Sequence, residues 1–238
     1  MFDRRQKTWE GILLSIGNRT PTIRAKWTAM EDREDIVRRK ASFLVRTEHY
    51  LSLGYDRFAA ADFVVKTGGR LSGPALDIGT GKGLTAMAMA RRGLDVVSVD
   101  PDADEQALAF LLAAEEGLKD RICFVRGDAS MLPYSEDHFG CAALVDVLHH
   151  LQDPVPVLEE AARVLKPSGI LILADFSPEG FELVARVHQE EGREHPVSGV
   201  TLESAASFLS GRGFEVAVRL SVHKHDVIVL AKRTGEGV

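Results

Sequence analysis

The sequence predicts an α/β fold: a mostly parallel sheet covered by helices on both faces, with a C-terminal antiparallel strand and an N-terminal helical extension. Three observations carry that reading. After Gly73-Pro74, short apolar runs alternate regularly with helical stretches, the pattern of a parallel sheet buried on both sides. Only Val222 to His225 separates the last two runs, which forces a hairpin, because a parallel pair needs a long crossover. And two helical stretches precede the first strand.

Taken in order, residues 1–27 mix Arg, Lys, Gly, Pro and Trp without a clear period and read as a short helix and an irregular arm. From Asp32 to Lys66 the residues Ile36, Phe43, Leu44, Leu51, Phe58, Phe63 and Val64 fall near helical spacing. A break at Ser52 to Gly54 ends one helix, a second begins near Asp56, and Thr67-Gly68-Gly69 closes it. The expected strands are Ala75 to Ile78, Asp95 to Val99, Ile122 to Arg126, Cys141 to Asp146, Gly169 to Asp175, Phe214 to Ser221 and Asp226 to Lys232. Helices are expected at Gly83 to Arg92, Asp102 to Glu116, Pro154 to Leu165 and Thr201 to Gly211, with a helix-bearing insertion at Pro178 to Pro196. The 238 residues, 45% of them hydrophobic, suit one large core, read as an arm or lid over residues 1–72 and a main domain over 73–238.

The net charge of −6 is unevenly placed. Residues 1–46 hold 11 Lys/Arg against 6 Asp/Glu, a net +5, and the rest carries −11. The basic segment is interrupted by Glu31-Asp32-Arg33-Glu34-Asp35, and pairs such as Glu34 with Arg38 and Asp35 with Arg39 suit a solvated helix, so nucleic-acid binding is disfavoured. No run reaches the roughly 18 apolar residues of a membrane span, and the Met1-Phe2-Asp3-Arg4-Arg5 start lacks a signal peptide's apolar core, which predicts a cytoplasmic protein. Cys123 and Cys141 lie in strand-like runs and read as buried thiols. His188, His195, His223 and His225 follow no metal-ligand spacing, so no metal is expected. Oligomeric state leaves no mark in the sequence.

The chemistry concentrates in Ala75-Leu76-Asp77-Ile78-Gly79-Thr80-Gly81-Lys82-Gly83, a strand that breaks into alternating glycines before a helix. Backbone can approach a ligand closely there, and a nucleoside cofactor is expected. A P-loop is excluded because Lys82 precedes no hydroxyl residue. A dinucleotide fingerprint wants its third glycine one residue later than Gly83. Asp100, 21 residues beyond Gly79 and ending the second strand, can accept from both ribose hydroxyls. Asp77 adds negative charge that suits a cationic cofactor better than a pyrophosphate.

Five blocks in order then resemble the class I S-adenosylmethionine-dependent methyltransferases, particularly the small-molecule branch with the quinone methyltransferases. They are Leu76 to Gly83, Val99-Asp100-Pro101-Asp102, Gly127-Asp128-Ala129 through Leu132-Pro133-Tyr134, Val145-Asp146-Val147-Leu148-His149-His150-Leu151, and Leu165-Lys166-Pro167-Ser168-Gly169-Ile170-Leu171. The resemblance implies a Rossmann-like fold that binds S-adenosyl-L-methionine and releases S-adenosyl-L-homocysteine. It implies that Gly79, Thr80, Gly81 and Gly83 pack on the methionyl part, with Asp77 near its amino-acid end. Asp100 and Pro101 would lie at the ribose, Asp128 and Ala129 at the adenine, and Asp146 to His149 on the reacting side.

The expected reaction is transfer of the sulfonium methyl to an O, N, C or S nucleophile of a small molecule. The alternatives are an NAD(P)-dependent oxidoreductase and a non-catalytic cofactor-binding protein. If a general base exists, Asp146 or His149 is expected in that role, with His150 behind them, Asp175 a weaker candidate, and only one of the two adjacent histidines at the substrate. No Pro-Pro-Tyr or Pro-Pro-Phe step follows the fourth strand, which the resemblance associates with nucleic-acid and protein amide targets. Selectivity is expected from the N-terminal helices and the 178–196 insertion, with Trp9, Trp27, Tyr50, Tyr55 and Phe58 as the aromatic faces of a lid.

Overall fold

Ala75–Ile78 (β1) and Val96–Asp100 (β2) are buried at every position, so neither face of the sheet's centre meets water. The structure, a computed structural model, describes residues 30–194 and 196–234. The expected arm over 1–27, with Trp9 and Trp27, and His195 lie outside the described residues. In chain order the remaining elements are α1 (Met30–Ser52) and α2 (Arg57–Thr67) before β1, then α3 (Leu84–Arg91) between β1 and β2. Next come α4 (Ala103–Glu115), β3 (Ile122–Arg126), β4 (Phe139–Val145) and a single 3-10 turn at Leu148–His150. The chain continues through α5 (Val155–Val164), β5 (Leu165–Phe176), α6 (Pro178–Glu190), α7 (Leu202–Ser210), β6 (Phe214–Val222) and β7 (His225–Lys232).

The seven strands order as β3-β2-β1-β4-β5-β7-β6. β7 runs antiparallel to both β5 and β6, while β1 to β5 pair in parallel. Strand period two sends Leu76, Ile78, Val97 and Val99 to one face, where they pack with Leu158 of α5 and Leu209 of α7. Ala75, Val96 and Ala143 face the other way, against Val64 of α2, Met87 of α3 and Leu108 of α4. Phe43 of α1 joins this second core, so the N-terminal helices share the main hydrophobic interior.

Helix starts follow local chemistry. The Asp56 carboxylate accepts the Ala59 N–H at 3.0 Å before α2, and Asp102 accepts the Asp104 N–H at 2.8 Å before α4. Ser177 accepts the Gly180 N–H at the start of α6, and Thr201 and Ser204 form a capping box on α7.

Two boundaries differ from expectation for physical reasons. β5 begins at Leu165, not Gly169: Leu165 pairs with Phe139 and Ile170 with Cys141, so Lys166 to Gly169 bulges out of the ladder. β4 ends one residue before Asp146, whose φ of 57° takes it out of the strand.

The order reverses at β1, with chain going outward to β2 on one side and β4 on the other. Loops leaving the C-terminal ends of β1 and β4 therefore diverge and open a crevice at this switch point.

Candidate cofactor and acceptor site

The glycines of the β1–α3 loop have separate jobs. Gly79, Gly81 and Gly83 all have positive φ, at 83°, 47° and 76°. A Cβ on Gly79 would sit 2.3 Å from Val147 Cγ2, and one on Gly83 would sit 2.8 Å from Ala109 Cβ, so these two allow close packing. A Cβ on Gly81 would meet nothing within 4 Å, which leaves the centre of the loop facing open space.

A buried polar network holds the loop from below. Asp77 and Ser98 are register partners on β1 and β2. The Ser98 hydroxyl donates to Asp77 Oδ2 at 2.7 Å, and with that proton committed the Thr80 hydroxyl, 2.7 Å away, donates to Ser98. Gln106 Nε2 anchors the same network to the Val125 carbonyl at 2.6 Å. Asp77 is 1% exposed and its Oδ1 has no partner among the described residues. Burial pushes its pKa up to about 7, against the lowering effect of the Ser98 hydrogen bond.

Asp100 acts on the loop backbone. Its Oδ2 accepts the Gly81 N–H at 3.0 Å and its Oδ1 the Asp102 N–H at 2.8 Å. Burial moves its pKa upward despite those bonds. Asp128 is exposed; the Ser130 N–H, 2.8 Å from its Oδ1, holds its carboxyl below the usual range.

In front of the loop lies a cavity of about 250 Å³. Its floor is Gly79, Thr80 and Gly81, its walls are Asp146, His149 and His150 after β4, and α1, α2 and α6 close over it with Tyr50, Arg57 and His188. Two histidine–carboxylate pairs flank Phe176. His149 is 2% exposed; its Nδ1 lies 2.5 Å from Asp175 Oδ1, and its backbone N–H donates to Asp175 Oδ2 at 3.2 Å. His225 faces Asp146 Oδ1 through Nε2 at 2.9 Å and the His223 carbonyl through Nδ1 at 3.1 Å.

Both ring nitrogens of His225 face acceptors, an arrangement that favours the protonated ring. Burial works to lower its pKa, but the Asp146 charge and hydrogen bond and the His223 carbonyl outweigh it, and the net shift is upward. For His149 the carboxylate at Nδ1 marks that nitrogen as the donor. His150, whose ring centroid is 3.9 Å from that of His149, is shifted down chiefly by burial.

The structure thus brings Gly79, Thr80, Gly81, Asp146, His149 and His150 to one cavity. Asp77 lies beneath it, Gly83 behind it at the α3–α4 contact, and outside its lining are Asp100, the last residue of β2, with Pro101, Asp128 and Ala129 past the ends of β2 and β3. Both adjacent histidines line the cavity, where only one was expected at the substrate, His149 buried and His150 exposed. Asp146 comes with a partner that the sequence did not show, since its Oδ1 faces His225 Nε2 at 2.9 Å. Of the lid aromatics, Tyr50 and Tyr55 reach the cavity, whereas Phe58 packs into the core edge-on to Phe43. The sequence reading missed Arg57, the place of His225 beside Asp146 and the pairing of Asp175 with His149. The one available signal was that Asp175 and His225 stand at the ends of β5 and β7, beside the same crevice. Among the described residues no group of three or more His, Cys, Asp or Glu could hold a metal, and no helix is long and apolar enough to cross a membrane.

Residues 76–173 match the methyltransferase domain family. The chain is 35% identical over 166 residues to the 27-O-demethylrifamycin SV methyltransferase of Amycolatopsis mediterranei, covering 67% of this chain and 58% of that protein. It is 31% identical over 131 residues to the demethylmenaquinone methyltransferase of Beutenbergia cavernae, covering 55% and 52%. The chain therefore spans only a little over half the length of these curated relatives. The [4+2]-cyclase SpnF superposes with a TM-score of 0.61 at 21% identity, over 76% of this chain and 82% of that one, a likeness of fold alone. Strand order, glycine loop, acidic strand ends and the matched family agree: the chain belongs to the class I S-adenosylmethionine-dependent methyltransferases.

Proposed function

We propose that the protein transfers the sulfonium methyl of S-adenosylmethionine to a nucleophile on a small molecule, a hydroxyl being the nucleophile that its base suits best. The observation that carries this reading is the His149–Asp175 pair on the wall of the cavity whose floor is the Gly79 to Gly81 loop. The residues present fit the cofactor. The orphaned, buried Asp77 Oδ1 suits a cationic ligand, and the open space at Gly81 is a cradle that a side chain would fill. Gly79 to Gly81 would hold the methionyl portion, Asp100 the ribose hydroxyls through its remaining lone pairs, and Asp128 with Ala129 the adenine. When bound, the cofactor supplies an already electrophilic methyl group.

The protein's own work is then alignment, exclusion of water and proton removal. Orientation can supply up to about 7–11 kcal/mol, and a positioned base a further factor of roughly 10² to 10⁴. His149 takes the proton of the acceptor hydroxyl on Nε2. Asp175 keeps the ring in that tautomer and stabilises the charge that forms. Asp146, held by His225, presents a fixed carboxylate beside the reacting groups, and Tyr50, Tyr55 and Phe176 supply the apolar walls.

The test is calorimetric binding of S-adenosylmethionine and S-adenosylhomocysteine, followed by a methyl-acceptor screen with mass detection. Binding of both and methylation of a small hydroxylated acceptor are expected. His149→Ala should lower kcat by roughly 10² to 10⁴ while cofactor affinity stays within about twofold, and Asp175→Asn should lower kcat in the same direction. Binding of a nicotinamide cofactor instead, or cofactor binding with no methyl transfer to any acceptor, would overturn the reading.

A further inference from the structure

The charge inside the cavity runs against the charge of the molecule. The whole chain carries −6, yet among the described residues the cavity lining presents Arg46, Arg57, Lys82 and the His225 ring against only two carboxylates, Glu105 and Asp146. Both carboxylates are committed: Glu105 pairs with Lys82, and Asp146 with His225. Arg46 binds Glu191 at 2.6 Å, but Glu191 also serves Arg193, so that trio keeps an excess positive charge. Arg57 has no carboxylate at all among the described residues. Its guanidinium carbon lies 5.2 Å from the Phe43 ring centre and 5.5 Å from that of Tyr50, and Tyr55 shares a hydrogen bond with it. Aromatic faces hold such a cation in place without neutralising it.

A half-buried guanidinium fixed on rings beside a reacting centre is a prepared half of an ion pair, since its planar fork matches a carboxylate bidentately. S-adenosylmethionine brings a sulfonium and an ammonium against a single carboxylate, and Asp77 beneath the loop answers that excess. Neither relieves Arg57, whose counter-charge is left to the other ligand.

Resting on the methyl-transfer reading above, we propose that Arg57 is the centre of an anion-binding site and that the methyl acceptor is a ring-bearing molecule with a carboxylate set apart from the hydroxyl that is methylated. Tyr50, Tyr55 and Phe176 receive the ring, Arg57 the acid group, and the excess charge of Arg46 and Arg193 draws the anion toward the cavity.

The probes are hydroxyphenyl carboxylic acids of increasing chain length, each with its methyl ester and primary amide. They are measured as substrates, and by calorimetry as ligands of the protein saturated with S-adenosylhomocysteine. The wild type should favour at least one acid over its ester by about tenfold or more, and Arg57→Gln should reduce that preference to within about twofold. Arg57→Lys should keep part of it. Affinity of Arg57→Gln for S-adenosylhomocysteine should stay within about twofold of wild type. If no acid binds better than its ester, the proposal fails while the methyltransferase reading stands. If Arg57→Gln instead loses S-adenosylhomocysteine affinity, and loses the wild type's discrimination against decarboxylated S-adenosylmethionine, Arg57 serves the cofactor's carboxylate and the acceptor assignment is overturned. Failure to bind either form of the cofactor would sink the methyl-transfer reading itself.

Discussion

Asp77 is placed where a carboxylate is least comfortable, and its discomfort has a sign. Its folded pKa of about 7 lies above the ordinary value of 3.8, so between those values the unfolded chain has released a proton that the folded one keeps. Stability then falls as pH rises across that window, the reverse of the usual paired carboxylate. A cationic ligand favours the ionised form, so cofactor affinity should rise through the upper part of the same window. Asp77→Asn removes both effects. The cofactor-free variant should melt about 2–8 °C above wild type near pH 8 and level with it near pH 4, by scanning calorimetry, and bind S-adenosylmethionine with a flatter pH dependence. Equal melting near pH 8 would mean that Asp77 is ionised without strain. Such residues were legible because they fall inside a spaced motif. The pairings of Asp175 and His225 were not, since their partners lie 26 and 79 residues away and only the sheet order brings them together.

Strand and helix identity followed from periodicity, and the errors lie where a turn signal competed with a ladder. Lys166-Pro167-Ser168-Gly169 reads as a stop, yet β5 passes through it as a bulge, with Ser168 at a φ of 61°. The β6–β7 hairpin closes through His223 and Lys224, both at positive φ, without the glycine or asparagine such turns prefer. The β1–α3 loop offers a cleaner contrast. Gly83→Ala combines a φ of 76° with a 2.8 Å contact to Ala109 Cβ, so it should destabilise the protein by about 2–4 kcal/mol in urea unfolding. Gly81→Ala meets no neighbour and should cost about 1 kcal/mol, yet weaken cofactor binding by tenfold or more, because its methyl enters the space that the ligand needs. Equal stability losses with unchanged binding would show that Gly81 does not face the cofactor.

Across the whole molecule, the described end of the basic N-terminal segment meets the acidic remainder along α1. The sequence showed the imbalance but not its use, which depends on α1 lying across the cavity between α4 and α6. Arg39 pairs with Asp104 at 2.7 Å and Lys40 with Glu115 on the α4 side; Arg46 pairs with Glu191 at 2.6 Å and His49 with Glu190 at 2.8 Å on the α6 side. In the first three the cation comes from α1, and in the fourth α1 supplies the histidine. Exposed pairs contribute about 0.2–1 kcal/mol each, whereas burying Phe43 and Tyr50 contributes about 1.5–3 kcal/mol apiece, so apolar contact seats the helix and the ion pairs trim its motion. Raising ionic strength from about 0.01 M to about 1 M shortens the screening length from about 30 Å to about 3 Å. Amide exchange in α1 should then accelerate about five- to thirtyfold while β4 and β5 change little, and cofactor release should quicken with it. Lys40→Glu should mimic high salt, and adding Glu115→Lys should restore slow exchange at low salt. An α1 that exchanges at the same rate at both ionic strengths would show that the four pairs leave its seating unchanged.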